Sequence, residues 1–132
     1  MGQSSSPNFL ANGAISTSVF VEVDASSNNR CIQATAGAFC IGISQEGSQL
    51  APIPGASSLA ATAADQEIQV YGLGEVCLLN ATSAGWTAGD RLKADSSGFG
   101  VTASASDYFG AVALETLSGI GLGRVQVVLG KN

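Results

Sequence analysis

The sequence predicts an all-β fold, a small single-domain β-barrel or β-sandwich. Three observations lead there. Short runs alternate apolar and polar side chains with period two. Glycine, Asn, Asp and Ser clusters punctuate those runs at short, regular intervals. And Leu, Ile, Val and Phe make up a quarter of the 132 residues, enough for one core and too much for global disorder.

Residues 1–14 are rich in Ser, Asn and Gly around an isolated apolar pair, Phe9-Leu10, and read as an extended N-terminal arm ahead of a β-rich domain at 15–132. Ile15 to Asp24, "ISTSVFVEVD", alternates: Ile15, Thr17, Val19, Val21 and Val23 share one face. Phe20 is the exception on the other. "ASSNNR" is a turn. Cys31–Ala34 and Ala38–Ser44 are two short strands around Gly37. Gly47–Asp65 contains Pro52 and Pro54 and then an Ala-rich stretch. It predicts a long Pro/Ala-rich loop with a helical turn near Ser58–Ala64, and a loop of that length is often functional.

Gln66–Asn80 is strand-rich, with Gly72 and Gly74 marking a bend. "TSAGWTAGD" is a loop holding the only Trp, Trp86. "AGDRLKADSSGFGV" then gives turn, strand, turn, strand. Asp90, Asp95 and Gly98 set the turns, and Arg91 and Lys93 project from the outer face between them. Tyr108–Glu115 and Leu122–Leu129 close the chain across a Gly-rich turn. "FCIGISQE" and "YFGAVALE" share an order of residue types that reads equally as a faint repeat or as chance.

Composition bounds the function. Charged residues are 11% of the chain, against about 25% in an average domain. Such a surface approaches another protein with few ions to desolvate. The net charge is −5 and the five cations are scattered, which excludes a nucleic-acid partner. No apolar run is long enough for a membrane span, and "MGQSSSPNFL" has neither the basic nor the apolar region of a secretory signal. "MGQSSS" fits the myristoylation pattern through Ser6 only superficially.

With no His there is no Ser-His-Asp or Cys-His nucleophile, so no catalytic residue is assigned and no enzyme is expected. No cofactor or metal site is expected either. Cys31, Cys40 and Cys77 have no CxxC spacing and read as small buried hydrophobes, although Cys31 and Cys40 can pair if their strands are adjacent. Asp90, Asp95 and Asp107 read as turn caps. Neither Gly72-Leu73-Gly74 nor Gly119–Gly123 sits where a phosphate loop needs it, and the sequon Asn80-Ala81-Thr82 carries no meaning without a secretion signal. Trp86 is either a core lid or an exposed interface anchor.

The ordered combination of Gly42-Ile43-Ser44, the Ala88-Gly89-Asp90 turn with the Asp95–Gly98 turn, the Gly110–Glu115 strand and a closing Val125-Gln126-Val127 resembles the capsid cement or head decoration proteins of tailed bacteriophages, over Phe20 to Leu129. The arm and the Gly47–Asp65 loop depart from that pattern. The resemblance implies a structural virion protein, made in the host cytoplasm and bound to the outer face of the mature head. It implies a homotrimer at threefold and quasi-threefold positions that braces neighbouring major capsid protein subunits. Exposed strand edges and the arm are expected to add backbone hydrogen bonds to the shell. The contact residues expected on this reading, to capsid or trimer, are Asn8, Phe9 and Leu10 on the arm, Pro52 and Pro54 in the loop, and Trp86. The rival is a carbohydrate-binding or adhesin-like β-module, for which Trp86, Tyr71 and Tyr108 are the aromatic candidates.

Overall fold

The computed structural model describes residues 8–25, 30–44, 59–61 and 67–132. It is all-β, with no helix among those residues. The strands are β1 (Asn8–Ala11), β2 (Ile15–Ser16), β3 (Phe20–Val23), β4 (Arg30–Gln33), β5 (Gly42–Ser44), β6 (Leu59–Ala61), β7 (Glu67–Tyr71), β8 (Val76–Ala81), β9 (Arg91–Ala94), β10 (Gly100–Thr102), β11 (Tyr108–Ala113) and β12 (Gly121–Lys131). They form two closed five-stranded barrels, β1-β4-β3-β5-β7 and β10-β8-β12-β11-β9, and a two-stranded β2-β6 sheet. The second barrel closes through one parallel pair, Gly100 with Ala81.

Several expectations change. β1 lies inside the first barrel, parallel to β4 and antiparallel to β7, and Ala11 is fully buried. The run Ile15–Asp24 breaks in two, because Ser18 turns the chain with φ of 57° and its backbone bonds away from the strand, from Ser18 N to Ser44 O at 2.9 Å. Within the stretch Ser58–Ala64, where a helical turn is expected, the described residues Leu59–Ala61 form strand β6, with Ile15 opposite Ala61 and Ser16 opposite Leu59. Alanine favours a helix by only a few tenths of a kcal/mol per residue, and tertiary pairing overrides that. Among the described residues the strand order of each barrel closes, although β8 meets β10 only at Ala81.

Each barrel fills from one side of its strands. Ala11, Ile15, Val19, Val21, Cys31, Ile68 and Val70 fill the first. In the second, small side chains (Ala81, Ala94, Ala111, Ala113) alternate with large ones (Leu79, Leu92, Trp86) and with Val125 and Val127. The two cores are not separate bodies side by side. Phe20, Ala34, Cys40 and Ile43 belong to the first half of the chain, yet they pack into the second core. Phe20 breaks the alternation of its strand for this reason. At Phe20 the outer side of β3 faces the second barrel, not water.

Backbone bonds lock the seam: Phe20 N donates to Gly98 O at 2.8 Å, Gly37 N to Ala94 O at 3.0 Å and Asn80 N to Ser18 O at 2.8 Å. The side chains of Asn80 and Gln33 add donations to Thr17 O at 3.0 Å and to Ser97 O at 2.6 Å. The sequon's Asn80 amide is therefore a structural crosslink between barrels. The two segments of the faint repeat fall one in each barrel, on β5 and β11.

Candidate functional site

The acidic side chains hold turns. Asp95 Oδ1 accepts from Ser97 N at 2.8 Å and Phe99 N at 2.9 Å. Asp90 Oδ2 accepts from Thr87 N at 2.9 Å and from the Thr102 hydroxyl at 3.2 Å. Asp107 Oδ2 accepts from Ser104 N and from Lys93 Nζ, both at 2.8 Å. Those bonds to Lys93 and the backbone hold the Asp107 carboxyl below its usual range. Each aspartate thus satisfies the backbone where a turn strips it of ladder partners. Among the described residues no group of His, Cys, Asp and Glu converges to hold a metal ion.

The three thiols are free and buried. Burial pushes Cys31 up to about 11 and Cys40 and Cys77 up to about 12, with Glu22 adding to the effect at Cys40 and Glu75 at Cys77. Since the thiolate is the nucleophile, a native sample is expected to leave all three unmodified by a thiol reagent at pH 8, and a denatured one to react at all three. Fast labelling of the native protein contradicts this burial. The sign of the pH dependence follows. Below the unfolded value of 9.0 the thiols are neutral in both states. Above it only the unfolded chain ionises freely. Stability is expected to hold up to about pH 9 and to fall as pH rises toward 11 and 12. A urea midpoint followed from pH 7 to 11 reads this directly. Cys40→Ala flattens part of the fall.

Trp86 is 4% exposed. Its indole Nε1 donates to Glu115 O at 2.9 Å, and its backbone exchanges two 3.0 Å hydrogen bonds with Leu117. The ring lies where Cβ atoms on Gly100 and Gly123 would stand 3.0 and 2.6 Å from it. Of the two readings of Trp86, core lid and exposed anchor, the burial fits the core lid. Trp86 also offers no face on which a sugar ring stacks. Above it, Thr87, Asp90, Thr102, Thr116 and Ser118 line an open depression of about 570 Å³ with Val101 and Leu117.

Of the other expected contacts, Asn8, Phe9 and Leu10 lie in β1, all three paired with β7 and Leu10 with β4 as well, and Leu10 is 38% exposed. Pro52 and Pro54 lie outside the described residues. What sequence reading missed is on the surface. Val76, Leu78 and Leu122 stand outward on neighbouring strands β8 and β12 around Arg124. At the seam, Phe39 and Tyr108 meet edge to face at 5.5 Å, both about half exposed. Their separation along the chain, 39 against 108, hid that pairing.

No family model matches the chain, and no curated protein does. Solved structures do match. One is the head fiber gp8.5 N base of bacteriophage phi29, 13% identical, with a TM-score of 0.66 over 96% of each chain. At that identity the likeness is one of fold: nearly the whole of each chain takes part in the same all-β architecture.

Proposed function

We propose that the chain is a structural protein of a bacteriophage virion, attached to the outside of the head. The observation that supports this most is the shared fold with a head fiber base across 96% of both chains. The physical character of the domain agrees. Aspartates serve turns, the thiols are buried, and residues of the first barrel pack into the core of the second. That is a rigid body suited to carrying contacts.

In this reading the protein binds the expanded head from solution and bridges major capsid protein subunits. It stabilises that lattice by its differential affinity for it over the unexpanded one. The number of copies that associate at each position, three on the cement-protein reading, follows from the lattice.

The test is co-sedimentation of purified protein with undecorated expanded heads, alongside light scattering of the free protein. Saturable binding with a raised temperature of head disruption is the expected result. Failure to bind any head preparation discards the reading, and a glycan array then takes up the adhesin alternative.

A further inference from the structure

The chain carries five cations and a net charge of −5, yet three of the five, Arg91, Lys93 and Lys131, meet in one neighbourhood. Tyr108 and Lys131 are partners in the β11–β12 register, and the Lys131 ammonium stands over the Tyr108 ring, 5.5 Å from its centre. The Arg91 guanidinium stands 5.4 Å from the centre of the Phe109 ring and reaches Asn132 Oδ1 at 3.4 Å. Phe39, from the loop between β4 and β5, packs its edge on Tyr108 and is 57% exposed. Lys93 joins through its ion pair with Asp107 at 2.8 Å. Two cations on ring faces and a third paired with Asp107 thus gather with three aromatic rings on a molecule of net negative charge.

Two features set this cluster apart from an ordinary polar surface. Aromatic rings and Arg are the residue types enriched at protein interfaces, where each buries a large area at low entropic cost. And the cluster spans both barrels, so the hydrogen-bonded seam holds its halves in fixed relation. A partner docks on it without first ordering a loop. The charge selects the partner. Arg91 and Lys131 rest on ring faces, a seating that keeps N–H donors for the carboxylates of a partner.

We propose that Phe39, Tyr108 and Phe109 with Arg91, Lys93 and Lys131 form a docking surface for an acidic segment of a head-shell protein. This rests on the head-surface reading and names the face and the chemistry by which the contact is made.

The experiment compares wild type, the double variant Arg91→Glu with Lys131→Glu, the variant Tyr108→Ala, and Leu73→Ser. Leu73→Ser changes a still more exposed apolar residue, at the turn between β7 and β8. Each is co-sedimented with expanded heads at 50 and 500 mM NaCl. In parallel, each is titrated with a fluorophore-labelled peptide of glutamate and leucine. The expected result is head binding by wild type that weakens several-fold with salt. It weakens about tenfold or more in the charge-reversal variant and several-fold in Tyr108→Ala, with Leu73→Ser unchanged. The peptide follows the same order.

Equal head affinity of all four proteins overturns the docking surface and leaves the head-surface reading intact. Absence of wild-type head binding removes that reading; the cluster's preference for an acidic segment is then decided by the peptide, whose failure to bind overturns it. A wild-type oligomer in light scattering that dissociates in the charge-reversal variant assigns the cluster to a second copy of this chain, and so overturns a shell partner.

Discussion

Trp86→Ala is expected to cost about 3–5 kcal/mol of folding stability, the range for emptying a large aromatic site in a core. Three losses combine. The indole leaves a void that Gly100 and Gly123 cannot close, because both are backbone positions in strands of the closed barrel. Glu115 O loses its 2.9 Å donor. The isolated bridge to Leu117, which pins the loop before β9 to the β11–β12 connection, loses the ring that packs under it. Against a typical total of 5–15 kcal/mol, the variant sits near the edge of folding, with a melting temperature lower by roughly 10 °C or more. Circular dichroism in urea measures the cost, and the emission of the single tryptophan reports the same transition in wild type by a shift to the red on unfolding. A Trp86→Ala protein of wild-type stability contradicts the packing described here and returns the residue to the role of surface anchor. Gly123→Ala is the converse probe. Its methyl meets the indole at 2.6 Å and the Leu117 side chain at 2.7 Å, so it is destabilising by overpacking, about 1–3 kcal/mol.

The strands and turns of the second half were legible because their signals are local. Asp90 and Asp95 sit within a few residues of the backbone groups they satisfy, and β9 and most of β12 alternate as half-buried strands must. The first half was harder for the same physical reason. β1 has four residues, with a polar stretch before it and Asn12-Gly13 after it, and its partners are β4 and β7, twenty and some sixty positions away. β6 is built from Leu and Ala, whose local preference points away from a strand. One barrel or two was undecidable from periodicity, since period-two alternation states which side of a strand is buried and not what buries it. The aromatic and cationic cluster was invisible for a related reason: its members come from four separate stretches of chain and gather only through the β11–β12 register and the seam.

Phe20 is where that ambiguity is sharpest, and it yields the second large effect. Its neighbours Val19 and Val21 fill the first barrel, while its own ring is fully buried in the second core. There Gly110, ninety residues on, leaves room for it. A Cβ at Gly110 would lie 2.7 Å from Phe20 Cε1 and 3.5 Å from Cys40 Cβ. Phe20→Ala is expected to cost about 3–5 kcal/mol, because it empties the seam at its largest side chain. Gly110→Ala costs about 1–3 kcal/mol alone, through the clash with the ring, since Gly110 is not among the residues with positive φ and no backbone strain adds to it. The two changes are not additive. Once Phe20 is Ala, the methyl at 110 has space, fills part of the void and narrows the chain's unfolded ensemble, so Gly110→Ala turns neutral or stabilising in that background. A double-mutant cycle by urea unfolding is expected to give a coupling of at least about 1 kcal/mol with that sign. Additive costs mean that the ring and the glycine do not meet. In that case the seam is not a continuous core, and a break in strand alternation at this position is only an irregular β3.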